Sequence, residues 1–147
     1  GAGHVAHAVS KLAAYSGFEV VVMDDREEFA SISRYPEAKE VRVLDSFDDC
    51  ISGMGPGDYV VIVTRGHLHD RDVLDQALRT EASYIGMIGS STKRRAVYDS
   101  LLSSGFTEID LNRVHSPIGI SIGAVTPEEI GISIVAELIK VRAGGDQ

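Results

Sequence analysis

The sequence predicts an α/β protein with a doubly wound parallel sheet, and three observations carry that prediction. Short, valine-rich apolar runs alternate with stretches of helical periodicity along the chain. A glycine turn, Gly1-Ala2-Gly3-His4-Val5-Ala6, opens directly into a helix in the G-x-G-x-x-A pattern. An acid, Asp24, then ends the next apolar run roughly 20 positions later, where Rossmann-like folds hold ribose hydroxyls.

Each element has its own signal. Val5, Ala8, Val9 and Leu12 recur at helical spacing and define the expected buried face of a first helix, with Gly17 as its stop. Phe18 to Met23 reads as a strand. The polar connection from Arg26 to Lys39, with Pro36, is expected to hold a loop and a short helix, followed by a strand over Val41 to Leu44. Phe47 to Ile51 reads as a brief helical piece and Gly53 to Asp58 as a turn cluster. Tyr59 to Val63 is a buried parallel strand by composition, and from Asp70 the residues Val73, Leu74, Ala77 and Leu78 mark the next helix. Ser83 to Ile88 is a strand, the helix after it reaches about Ser103, and Phe106 to Arg113 is a connector with room for one helical turn. Val114 ends a last short strand. Thr126-Pro127-Glu128-Glu129 combines a Thr N-cap, proline at the first helical position and Glu at the third, opening a helix with Ile130, Ile134, Leu138 and Val141 on its buried face. Gly131 inside that helix points to a close approach of a neighbour, and Gly144 is its stop.

The glycine fingerprint is expected to follow a buried strand, and this sequence starts at the first glycine. The fold is therefore expected with its first strand missing, as a single domain over residues 1–147 cut from a longer chain. Fourteen basic against 22 acidic residues leave a net charge of −8, which argues against a broad nucleic-acid or anionic-membrane surface. One cysteine, Cys50, excludes an internal disulfide framework, and no apolar run has transmembrane length, so a reducing cytoplasm is the expected setting.

In such sheets ligands bind at the carboxyl ends of the strands. The candidate cofactor-binding residues fall in five loops there: Gly1, Gly3, His4 and Ala6; Asp24, Asp25 and Arg26; Thr64 and His67; Gly89, Ser90, Lys93 and Arg94; and His115, Ser116, Pro117 and Gly119. The helix starts at Gly1 to Ala6 and Gly89 to Arg94 offer free N–H groups and cations to phosphate. Each feature has a plainer reading. The two aspartates could cap a turn, the second helix start could be an ordinary cap with a solvated basic face, and His115 could only orient its loop. His67 and His69 with Asp70 have the residue types of a metal set but lack a clear further ligand, and Asp70 is expected to cap its helix. Cys50, away from these loops, reads as buried or inert. No nucleophile–base pair is present, so no catalytic residue is assigned and the sequence supports binding better than turnover.

The segments Gly-Ala-Gly-His-Val-Ala, Val-Val-Met-Asp-Asp-Arg-Glu-Glu-Phe-Ala, Tyr-Ile-Gly-Met-Ile-Gly-Ser and His-Ser-Pro-Ile-Gly-Ile-Ser-Ile-Gly-Ala-Val-Thr-Pro-Glu-Glu-Ile resemble, in order, the C-terminal Rossmann domain of the xanthine dehydrogenase accessory protein family (XdhC/CoxI). The resemblance implies a chaperone that holds the sulfurated molybdenum cofactor, as molybdopterin or its dinucleotide form, and delivers it to an apo molybdenum hydroxylase of the xanthine dehydrogenase type. It also brings in a cysteine desulfurase as a candidate partner. Gly1 to Ala6 and Gly89 to Arg94 would then hold phosphate or pyrophosphate, Asp24 or Asp25 a ribose or pterin donor, and His67 and His115 would line the pterin or metal end. The family commonly carries histidine where this chain has Arg65, and it has an N-terminal domain that this sequence lacks. The apolar closing helix makes a homodimer an expectation. Two rivals use the same fold: an NAD(P)-dependent oxidoreductase with His67 or His115 as proton donor, for which Arg26 leaves NADP open, and a regulatory module with a vestigial nucleotide site.

Overall fold

A computed structural model describes residues 1–144 except Gly66 and the side chain of His67. In chain order the elements are α1 (His4–Tyr15), β1 (Val21–Asp24), β2 (Glu40–Val43), β3 (Tyr59–Ile62), α2 (His67–Leu78), β4 (Tyr84–Met87), α3 (Ser91–Ser103), α4 (Glu108–Leu111), β5 (Val114–His115) and α5 (Pro127–Arg142). All strand pairings are parallel, as the alternation of strands and helices predicts. The chain divides into two compact units, one made of Gly1–Phe47 and the segment from Gly119 on, the other of Asp48–Ile118.

In the first unit β1 and β2 pair in the register Val21 to Glu40 through Asp24 to Val43. A small core of Ala2, Val22, Ala30 and Tyr35 gathers Val20, Phe29, Ala38 and Val41 around it, which ties the glycine turn to the sheet. The buried stripe of α1 is Ala6, Val9, Ser10 and Ala13, one step round from the expected Val5, Ala8, Val9 and Leu12. The reason is that α1 is packed on more than one side. Ala8 faces Gly131 of α5, where a Cβ would stand 2.7 Å from the Ala8 Cβ, so the absence of a side chain at Gly131 sets the helix separation. α1 ends as a Schellman motif: Phe18 N–H reaches Ala13 O at 2.9 Å, Gly17 N–H reaches Ala14 O at 3.1 Å, and Gly17 adopts φ +94°. α5 opens on the expected capping box of Thr126 and Glu129, and Ile134, Val135 and Leu138 form its apolar buried face, while Ile130 and Val141 are half-buried.

In the second unit the strand order is β3-β4-β5, with Tyr59 opposite Tyr84 and Ile85 opposite Val114. Every residue of β4 is buried, which suits a strand flanked by two others. Val73, Leu74, Ala77 and Leu78 are buried on α2, and Val97 and Leu101 on α3. The connector's single helical turn is α4, held by a capping box of Thr107 and Asp110.

Three expectations are corrected. Arg26 to Lys39 forms successive turns rather than a short helix, and so does Phe47 to Ile51, because neither segment offers an apolar stripe for a helix to bury. α2 begins at His67, three residues before Asp70. Among the described residues no helix is long and apolar enough to cross a membrane.

Candidate functional site

The expected site residues fall into two groups, one in each unit. In the first unit Gly3 is the N-cap of α1, with φ −83° and ψ −161°, and no side chain caps the helix. The first turn of α1 carries no acid of its own and no side chain caps its N–H groups. A Cβ built on Gly3 meets no atom within 4 Å. The turn is thus open where a phosphate would approach. His4 is exposed at the first helical position, and Ala6 is buried at 8% exposure, the close approach a small residue permits.

Asp24 lies at the end of β1, 1% exposed, and its carboxylate is fully engaged. Oδ1 accepts from the Arg26 backbone N–H at 2.9 Å and from Arg26 Nε at 3.0 Å. Oδ2 accepts from the Ala2 N–H at 2.8 Å and from Arg26 Nη2 at 2.9 Å. Burial pushes this carboxyl upward, but the Arg26 side chain, the Arg26 and Ala2 amides and Asp25 together outweigh it and hold Asp24 well below the usual carboxylate range. The Arg26 guanidinium, raised in turn chiefly by its bond to Asp24, lies 4.0 Å over the Phe29 ring.

Two neighbours that sequence reasoning passed over grip the same turn. Arg34 Nη2 donates to Ala2 O and Tyr35 Oη donates to Gly3 O, both at 3.4 Å. Tyr35 is wholly buried, and burial raises its hydroxyl above the ordinary range. Gly119 belongs to this unit, at φ +92°, and donates its N–H to Glu137 Oε1 at 3.0 Å. A Cβ there would run into Ser133, whose hydroxyl donates to Ile120 O at 2.5 Å, so Gly119 fastens its loop to α5.

In the second unit the carboxyl ends of β3 and β4 carry a buried polar cluster. Thr64 donates its hydroxyl to Asp70, and Asp70 forms an ion pair with Lys93. Asp70 is wholly buried and the Lys93 side chain is 12% exposed. Lys93 Nζ also donates to Ile88 O at 2.9 Å. The Asp70 carboxylate therefore joins two strand ends instead of marking the start of α2, which explains why that helix starts earlier. Gly89, at φ +142°, lies against the Lys93 side chain, and Ser90 caps α3 by accepting from Lys93 N–H at 3.2 Å. Arg94 Nη1 donates to Ser116 O at 2.6 Å, holding the segment that contains the cis Ser116-Pro117 bond. The His115 ring stacks on Tyr84 at 4.6 Å, and Tyr84 in turn stacks on Tyr59 at 6.1 Å.

Thr64, Gly89, Ser90 and Lys93 are thus brought together, as are Arg94, His115, Ser116 and Pro117. The His67 side chain lies outside the described residues. Among those residues no three His, Cys, Asp or Glu side chains gather as a metal-ligand group. Cys50 is half-buried and burial raises its thiol, the state of an unreactive cysteine. The missed Thr64–Asp70–Lys93 cluster had a usable signal, since consecutive parallel strands bring their carboxyl-end loops side by side.

Comparison with known proteins gives a consistent picture. Residues 1–138 match a family described as the XdhC Rossmann domain. The Uncharacterized protein YqeB of Escherichia coli (strain K12) is 32% identical over 144 residues, 97% of this chain and 26% of that protein. A probable xanthine dehydrogenase subunit of Bacillus subtilis (strain 168) is 32% identical over 148 residues, 97% of this chain and 41% of that protein. A crystal structure of a xanthine dehydrogenase from Bacillus halodurans superposes with a TM-score of 0.83 at 33% identity, covering all of this chain and 42% of the other. The chain spans between about a quarter and two fifths of these relatives' lengths.

Proposed function

Because the chain belongs to the XdhC Rossmann domain family, we propose that it holds the molybdenum cofactor and serves its delivery to a hydroxylase of the xanthine dehydrogenase type. The names of two relatives favour the xanthine dehydrogenase connection. The observation that carries the reading is the uncapped start of α1, with open space over Gly3 and no acid in its first turn. Such a turn suits a phosphate or pyrophosphate group; molybdopterin ends in a phosphate, and its dinucleotide form carries an internal pyrophosphate. When bound, the cofactor would supply the molybdenum centre that the hydroxylase uses.

On this reading Gly1 to Ala6 receive the phosphate end. In the second unit, taken by itself, Ser90 caps α3, Arg94 holds Ser116 O and His115 stacks on Tyr84. Lys93 acts indirectly, by fixing the Gly89 loop through Ile88 O and Asp70. The chain's part is to bind and orient, since the sequence offers no nucleophile–base pair. An anaerobic calorimetric titration of the intact protein with molybdenum cofactor, and separately with NAD(H) and NADP(H), tests the proposal. Cofactor binding without nicotinamide binding supports it. Nicotinamide binding alone, with hydride exchange, replaces it with an oxidoreductase.

A further inference from the structure

We propose that the end of β1 forms a phosphate-monoester subsite, built from Arg26 and Arg34, which both lie against the Phe29 ring, and that it discriminates against ligands offering only a ribose diol there. This rests on the reading of the Gly1–Ala6 turn as the place where the cofactor's phosphate end binds. An ionised carboxylate has about four lone-pair positions. In Asp24 two donors reach each oxygen: the Arg26 amide and Nε on Oδ1, the Ala2 amide and Arg26 Nη2 on Oδ2. The group that would accept a ribose diol in a dinucleotide fold is therefore saturated from within the protein.

What is left unfilled is donor capacity. Arg26 commits Nε and one Nη2 hydrogen to Asp24, leaving three of its five donor hydrogens, and its side chain is 25% exposed. Arg34 lies 5.2 Å from the Phe29 centroid that Arg26 covers at 4.0 Å, so one ring carries two guanidinium groups. Among the described residues Arg34 is in no ion pair, and its Nε is buried with no hydrogen-bond partner. Its Nη2 touches Ala2 O at 3.4 Å, which places the group at the glycine turn. Arg34 beside the uncapped start of α1, with the free donor hydrogens of Arg26, whose charge is met by Asp24, Asp25 and Glu28, suits a dianion with several acceptor oxygens better than a neutral diol.

The chemistry is that of a terminal phosphate monoester. It can come from molybdopterin itself, whose phosphate is terminal, or from the 2′-phosphate of a nicotinamide dinucleotide. The dinucleotide form of the cofactor and NAD present a diester and a diol instead. The test is anaerobic calorimetry on the intact protein with the molybdopterin form, the dinucleotide form, NADP+ and NAD+, repeated with Arg34→Gln and Arg26→Ala. The expected result is that the molybdopterin form binds about tenfold or more tighter than the dinucleotide form, and that Arg34→Gln removes that preference with unfolding unchanged. Arg26→Ala should reverse the preference, because it frees Asp24 to accept a diol. Preference for NADP+ over NAD+ alone, lost in Arg34→Gln, supports the subsite and overturns the cofactor reading. Equal or tighter binding of the dinucleotide form, or indifference to Arg34→Gln, overturns the subsite and leaves the cofactor reading standing. Binding of none of the four overturns both.

Discussion

The Ala2 amide donates to Oδ2 of Asp24 across 2.8 Å, joining the glycine turn to the end of β1 over 22 residues of sequence. Asp24 is thus a support of the turn. Asp24→Asn is expected to lose about 2 kcal/mol at neutral pH, the scale of hydrogen bonds to a charged acceptor. The lowered folded-state value lies below the unfolded value of about 4, so the contribution is complete above that value and fades as pH falls beneath it. Urea midpoints at neutral pH and near pH 3 check this. The parent and variant should differ at the first and converge toward the second.

Gly3 separates folding from binding. Its φ of −83° is open to any L-residue, and a Cβ there meets nothing within 4 Å. Gly3→Val should cost no more than about 1 kcal/mol of stability, the size of an N-cap effect. The same side chain fills the space where a phosphate would approach, so cofactor retention should be abolished. Calorimetry and thermal unfolding on one sample read the two effects separately, and retained binding would remove the turn from the site.

Asp70 and Lys93 form a buried pair whose members depend on each other. Asp70→Asn or Lys93→Met alone should cost about 3–5 kcal/mol by stranding the remaining charge. Asp70→Leu with Lys93→Met should cost less than the sum of the singles. A double-mutant cycle by chemical denaturation measures the coupling, and additivity would show that the pair is not a unit.

Gly131 sets the spacing of α1 and α5. Replacing an interior helical glycine with alanine ordinarily gains about 1 kcal/mol. Here the new methyl would lie 2.7 Å from the Ala8 Cβ and 3.3 Å from the Ala8 carbonyl carbon, so Gly131→Ala should instead lower stability by about 1–3 kcal/mol. The loss should shrink in an Ala8→Gly background, as read from denaturation midpoints.

Order and type of the main elements were legible because buried parallel strands such as Tyr59 to Ile62 read as apolar runs, and the capping box at Thr126 announces its helix. The face of α1 was not, since its apolar and small residues spread round the helix: Ala6, Val9, Ser10 and Ala13 turn inward while Ala8 lies against Gly131 of α5. The start of α2 was missed because Asp70 has the residue type of a cap, while its carboxylate is taken by Thr64, after β3, and by Lys93, in the first turn of α3. The spacing from Gly3 to Asp24 puts the acid at the end of β1, where the structure has it. Its saturation by Arg26 and Ala2, and the reach of Arg34 and Tyr35 back to the turn across 32 residues, are tertiary facts with no periodic trace.

The central claim is that this family member carries the molybdenum cofactor to a hydroxylase. The most direct measurement is to load the intact protein with cofactor anaerobically, remove free cofactor, and add an apo-hydroxylase of the xanthine dehydrogenase type. Substrate turnover should then appear in proportion to the loaded protein, and the Gly3→Val variant should give none. If the hydroxylase is activated equally well by Gly3→Val, or only by free cofactor, the account is contradicted.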